Sequence, residues 1–243
     1  MTVETASVGD LPLHQARPMG GITTGVLVLS QAMGYSPQIE AWLTRLAAAG
    51  HFAVAPSLLA RRGVETVDPM ERFGGDIEAF AKFLPGDDEL RTDINAALDY
   101  LRSAGVEPGC TGVLGWSYGG RAAFLTASEY ALGAAISWYA TGIQPGFPGN
   151  DGLPSLGDRM PWLRTPWLGL FGDQDILLAP GELDELGKNA AQAPVRAEIV
   201  RYPAGHAFDI DTPFPPDGAS PFVATAAEDA TRRTLEFLDS TLR

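Results

Sequence analysis

Gly115-Trp116-Ser117-Tyr118-Gly119-Gly120 sets one serine between glycines in a Gly-x-Ser-x-Gly pattern. An apolar run at 110–114 precedes it and a helix-compatible run at 121–127 follows. Strand, tight turn carrying a serine, then helix is the context that a nucleophile elbow requires. Such a turn strains the serine backbone, and the flanking glycines remove Cβ atoms for which there is no room. The helix starting there aims free N–H groups and its positive dipole end at any anion formed beside Ser117. With 28 glycines in 243 residues, the pattern alone can arise in an ordinary loop. The strand and helix around it single it out.

A serine hydroxyl is a weak nucleophile; it needs a base to take its proton and a third group to orient that base. The chain has three histidines. His14 lies near the N-terminus, where a solvated surface position is expected. His51 starts a strand directly after a helix, at the sheet edge opposite the elbow, and reads as structural. His206, in Ala204-Gly205-His206-Ala207-Phe208, follows the strand ending at Tyr202-Pro203. Loops at the carboxyl ends of parallel strands share a face with the elbow, so His206 can reach Ser117. The acid is expected between serine and histidine in chain order, after another strand. Phe171-Gly172-Asp173-Gln174-Asp175 is that place, and Asp173 and Asp175 both qualify; either could instead cap the turn. From 175 to 206 is 31 residues, room for one helix and one strand.

The elements that must hold these groups follow from the apolar pattern. An edge strand is expected within 6–16. Residues 25–29 (Gly-Val-Leu-Val-Leu) read as a strand buried on both faces, as in a parallel sheet covered by helices. A helix over 37–49 is closed by Gly50, and 51–55 form the next strand. Residues 63–86 give no legible pattern. Asp87 or Asp88 can cap a helix carrying Leu90, Ile94, Leu98 and Leu101 on one face. After the elbow come strands at 134–139, 167–171 and 195–199, helices near 181–193 and 224–242, and a Gly/Pro-dense loop at 142–161. Strands alternating with helices predict an α/β fold with a mostly parallel, doubly wound sheet, in one domain over 1–243.

Composition bounds the rest. Hydrophobic content of 45% and charged content of 19% suit a soluble globular protein. A net charge of −13 argues against nucleic acid or an anionic membrane as partner. The single cysteine, Cys110, allows no intramolecular disulfide and is expected in the core. No signal peptide or membrane-spanning run is evident, so a cytoplasmic protein is expected. No metal-ligand cluster or Gly-rich phosphate loop appears, and no metal or organic cofactor is called for.

Three spaced motifs together carry a family resemblance: Gly115-x-Ser117-x-Gly119-Gly120, Gly172-x-x-Asp175, and Tyr202-Pro203-Ala204-Gly205-His206-Ala207-Phe208. From about Val26 to the final helix, the chain resembles the dienelactone hydrolase family of α/β-hydrolases. The resemblance implies that fold and makes Asp175 the acid, with Asp173 the fallback. Two departures stand out. The family's best-known members carry a cysteine where this chain has Ser117, and a glutamate, belonging to that cysteine's activation, where it has Gln31. Arg61, in Pro56-Ser57-Leu58-Leu59-Ala60-Arg61, matches an arginine that helps bind the substrate carboxylate. A second arginine expected after the histidine is replaced by Ile210, between Asp209 and Asp211. Half of that anion clamp is missing.

The expectation is therefore a serine esterase or lactonase acting on a small-molecule ester. Ser117 attacks, His206 accepts its proton, and Asp175 orients the imidazole. The backbone N–H groups of Tyr118 and of Ala32, beside Gln31, would stabilise the oxyanion. Gln31, Met33, Tyr35, Trp116, Trp138 and Phe208 neighbour the site in sequence and are candidate substrate-lining residues, with Arg61. A thioesterase or acyltransferase could use the same triad. A ligand-binding protein of the same fold is the alternative from another class; it would not need all three groups.

Overall fold

The computed structural model describes residues 1–147, 149–211 and 221–242. The chain opens with a hairpin, β1 (Glu4–Val8) and β2 (Leu11–Ala16), so the expected single edge strand is two strands turning at Gly9-Asp10. Then follow β3 (Gly25–Leu29), α1 (Pro37–Ala48), β4 (Phe52–Pro56), two short helices α2 (Pro69–Phe73) and α3 (Ile77–Phe83), and α4 (Asp87–Ser103). Next come β5 (Thr111–Trp116), α5 (Tyr118–Glu129), β6 (Ala134–Trp138), β7 (Trp167–Gly172), α6 (Glu182–Ala190), β8 (Ala197–Tyr202) and α7 (Ala224–Thr241).

The eight strands form one sheet in the order β1-β2-β4-β3-β5-β6-β7-β8. β2 runs antiparallel to β4, and from β4 onward every pairing is parallel. Side chains alternate across each strand, so β5 sends Val113 to one face and Leu114 and Trp116 to the other. The first face is covered by α4, α5 and α6 through Leu90, Ile94, Phe124 and Leu186. The second is covered by α1 and α7 through Trp42, Leu43, Phe237 and Leu238. Burial on both faces is why the central strands read as continuous apolar runs.

Three local expectations are corrected. The N-cap of α4 is Gly86, not an aspartate; Glu89 Oε2 accepts its N–H at 3.1 Å, while Asp87 is the first helical residue, with its carboxylate in the core. Cys110 lies in a 3-10 turn before β5 and is half-buried. The segment 63–86 holds α2 and α3, too short for a readable period, each started by an aspartate: Asp68 accepts from Met70 and Glu71, and Asp76 from Ala79. No helix of the described residues is long and apolar enough to cross a membrane.

Candidate active site

Ser117 stands between β5 and α5 with φ 52° and ψ −115°. Its N–H donates to Trp138 O at 2.9 Å, and its carbonyl accepts from Arg121 N–H at 3.0 Å. The glycines have separate reasons. A Cβ on Gly115 would strike Gly119 O, and one on Gly119 would strike the carbonyl oxygens of Leu29 and Ser30. Only with hydrogen at both positions can α5 close onto the ends of β5 and β3. Among the described residues the non-glycine residues with positive φ are Ser117, Tyr139 and Ala207. Ser117 is the nucleophile candidate, and Ala207 and Tyr139 adjoin His206 in sequence and in space respectively.

His206 Nε2 lies 3.1 Å from Ser117 Oγ, and His206 Nδ1 lies 2.7 Å from Asp175 Oδ2. All three residues are buried. With Nδ1–H donating to the carboxylate, Nε2 is the acceptor facing the serine hydroxyl. Asp175 Oδ1 accepts from Leu177 N–H at 2.9 Å, so both carboxylate oxygens are engaged. The loops after β7 and β8 are laced together: Asp173 N–H donates to Tyr202 O and Gln174 N–H to Ala204 O. A Cβ on Gly172 would strike the carbonyls of Ala204 and Gly205, which explains the glycine before the acid. Asp173 points elsewhere, to Arg201 Nε at 2.5 Å. Thr141 Oγ1 is a further neighbour of Ser117 Oγ, at 3.5 Å.

The oxyanion candidates follow two neighbouring strands, β5 and β3. Tyr118 is the first residue of α5, where N–H groups have no intrahelical acceptor. Ala32 is half-buried in the loop after β3, the strand in register with β5 at Leu29 and Gly115. The Tyr118 side chain points away, buried, with its hydroxyl donating to Pro85 O and its pKa pushed well above the usual phenol value by burial.

The lining candidates divide. Gln31, Met33 and Tyr35 lie in the loop after β3, Gln31 buried and the other two half-buried. Trp116, Trp138 and Phe208 are core residues instead. Trp116 and Trp138 flank Trp42 at ring distances of 5.3 and 5.6 Å on the α1/α7 face, and Phe208 stacks on Trp138 at 5.6 Å. Strand alternation gives Trp116 and Trp138 to the core, and Phe208, in the loop after β8, packs on Trp138. Arg61 forms a bidentate pair with Asp93 of α4, Nε at 3.0 Å and Nη2 at 2.7 Å from Oδ1, so its guanidinium is already matched by a carboxylate.

The other histidines are placed as follows. His51 is buried, with Nδ1 2.7 Å from Thr24 Oγ1, and burial pulls its pKa down. His14 is not a solvated residue: it stacks on Tyr35 at 3.7 Å and meets Glu65 at 2.6 Å. Burial, with Glu40 and Glu65 nearby, pushes Tyr35 up to about 12.

Sequence reasoning missed Gln38, Tyr139 and Thr141 near the site. Gln38 Nε2 donates to Asp209 Oδ2 at 2.6 Å, and Tyr139 OH donates to Asp209 Oδ1 at 2.7 Å. Asp209 was legible only as an acid near the missing arginine; nothing in a single sequence ties it to residues 70 and 171 positions away.

The model of the dienelactone hydrolase family matches residues 14–242. A protein of Escherichia coli strain K12, provisionally named carboxymethylenebutenolidase, is 30% identical over 239 residues, covering 95% of this chain and 83% of that one. The carboxymethylenebutenolidase of Pseudomonas putida is 25% identical over 215 residues, 88% of this chain and 84% of that one. A crystal structure from Klebsiella pneumoniae subsp. pneumoniae MGH 78578, provisionally described as a dienelactone hydrolase, superposes with a TM-score of 0.82 at 26% identity, over 98% of both chains.

Proposed function

The chain belongs to the dienelactone hydrolase family and is a hydrolase of α/β-hydrolase fold; within that family we propose that it cleaves neutral carboxylic esters or lactones through a serine acyl-enzyme. The observation that carries this is the relay from Ser117 Oγ through His206 to Asp175, at 3.1 and 2.7 Å, on a strained strand-to-helix turn.

Ser117 Oγ attacks the carbonyl carbon while its proton passes to His206 Nε2. Asp175 stays ionised, holds the tautomer with Nδ1 protonated, and stabilises the imidazolium. The carbonyl oxygen becomes an oxyanion toward the N–H groups of Tyr118 and Ala32; each such donor contributes about 3 kcal/mol. Collapse breaks the bond to the leaving oxygen, which takes the proton from Nε2. Water then attacks the acyl-enzyme with His206 as base, releasing the acid and regenerating Ser117.

The preference for neutral substrates rests on charge. Carboxymethylenebutenolidase, the name the relatives carry, denotes an enzyme acting on a carboxylate-bearing lactone. Here Arg61 is occupied by Asp93, and the position after the histidine holds Ile210 between Asp209 and Asp211. An anionic substrate would meet at these positions one arginine already paired with a carboxylate and no second one.

The test is fluorophosphonate labelling with peptide mapping, run beside a panel of aryl esters and lactones of varied acyl length. Label on Ser117 and ester turnover abolished by Ser117→Ala are expected. Turnover surviving Ser117→Ala would refute the mechanism.

A further inference from the structure

A second polar group stands against the triad. Tyr139 follows β6 with φ 34°, a backbone that a bulky residue adopts only when its surroundings impose it. Its N–H donates to Leu170 O at 2.7 Å, and its ring meets the His206 imidazole edge-on, centroids 4.8 Å apart. Beyond the ring, the hydroxyl donates to Asp209 Oδ1 at 2.7 Å. Gln38 Nε2 donates to Asp209 Oδ2 at 2.6 Å and reaches Tyr139 OH at 3.2 Å. Gln38 Oε1 in turn accepts from Gln31 Nε2 at 2.5 Å.

The chain of bonds joins three segments of the site. Gln31 immediately precedes Ala32, whose N–H is assigned to the oxyanion in the proposed mechanism. Gln38 lies in the first turn of α1. Asp209 lies three residues beyond His206, on the same loop. Burial pushes the Asp209 carboxyl above its ordinary range, and the donations from Tyr139 and Gln38 work against that shift. Resting on the serine mechanism, we infer that Asp209, with Tyr139 and Gln38, is a positioning residue: it fixes the imidazole wall and ties it to the oxyanion loop.

These bonds limit the angular freedom of the imidazole. His206 is held at Nδ1 by Asp175 and meets Ser117 Oγ through Nε2, and its ring lies edge-on against Tyr139. The Tyr139 ring limits rotation of the imidazole on one side, and among the described residues Asp209 and Gln38 hold the Tyr139 hydroxyl in place. Without the carboxylate, two buried donors lose their acceptor and the strained Tyr139 can relax. Small misplacements of a catalytic group cost up to about 10²-fold. Asp209 bonds to Tyr139 and Gln38 rather than to Ser117, so its effect belongs on kcat and on serine reactivity rather than on KM.

Tyr139→Phe, Asp209→Ala, Asp209→Asn and the double Tyr139→Phe/Asp209→Ala test this. The readouts are kcat and KM for an aryl ester and the rate of fluorophosphonate labelling of Ser117, each per labelled site so that misfolded protein drops out. Tyr139→Phe keeps the ring, so it remains informative should Asp209→Ala fold poorly. Tyr139→Phe and Asp209→Ala are expected to lower kcat and the labelling rate by about 10- to 30-fold with KM within about threefold. The double variant should be no worse than Asp209→Ala. Asp209→Asn should recover most of the loss, because flipped Gln38 and Gln31 amides restore the bonds. Labelling and kcat within about twofold of wild type in both Tyr139→Phe and Asp209→Ala, or a change confined to KM, would overturn the assignment. A wild type that resists labelling at Ser117 would overturn the serine mechanism and this assignment together.

Discussion

Asp175 faces His206 at 2.7 Å, whereas Asp173, two positions earlier in the same loop, turns outward to Arg201 at 2.5 Å. Sequence position cannot separate them; the turn after β7 does. Asp175→Asn is expected to lower kcat by on the order of 10³–10⁴-fold, since it leaves the imidazole present with the wrong tautomer. Asp173→Asn should lower it by less than about fivefold, because an exposed pair contributes little. Steady-state rates on one ester decide, and the reverse ranking would move the acid to Asp173.

Ser117→Ala and His206→Ala should each reduce turnover by on the order of 10⁴-fold or more, and the double variant should fall little further, because nucleophile and base act as a unit. Losses that multiplied in the double variant would show that the two residues work independently. The comparison needs only kcat values above the uncatalysed rate.

Charge discrimination should be visible in kcat/KM. A neutral short-chain or aromatic ester is expected to exceed a carboxylate-bearing dienelactone by about tenfold or more, since a paired arginine clamp is typically worth a few kcal/mol and Arg61 is taken by Asp93. Ile210→Arg should narrow the gap. A wild type that prefers the anionic lactone would be incompatible with the proposed substrate class.

Arg121 is fully buried in α5, paired with Asp87 through Nη1 and, at 3.2 Å, through Nη2. Its Nε donates to Gly142 O at 2.9 Å and its Nη2 to Pro154 O at 2.6 Å. Removing one partner strands a buried charge, so Asp87→Ala should destabilise the protein by about 3–5 kcal/mol. Urea denaturation measures this; a loss below about 1 kcal/mol would show that water reaches the guanidinium.

What the chain disclosed in advance were features that a local pattern encodes. Gly115, Ser117 and Gly119 declare the elbow because only glycine admits those backbone approaches, and His206 follows from scarcity and from its place after a strand. Continuous apolar strands announced a sheet covered on both faces. The failures share a cause: each depends on which distant residue a side chain meets. Trp116 neighbours Ser117 in sequence, yet strand alternation gives its indole to Trp42. Arg61 matched a substrate-binding position, yet Asp93 on α4 claims it, and no spacing rule predicts that pairing. Helices α2 and α3 escaped notice because five and seven residues are too few to display a period.

The two carbonyls held by Arg121 frame the stretch between Gly142 and Pro154. Both ends are anchored to the helix that carries the nucleophile, so its length can change without moving Ser117. Loop closure grows only slowly with length, each doubling costing about 0.6 kcal/mol. Within it Ile143 and Leu153 are buried and Gly152 O accepts from Asp87 N–H, so redesign keeps these with Gly142, Pro154, Arg121 and Asp87 and varies the exposed Pro145 and Asp151.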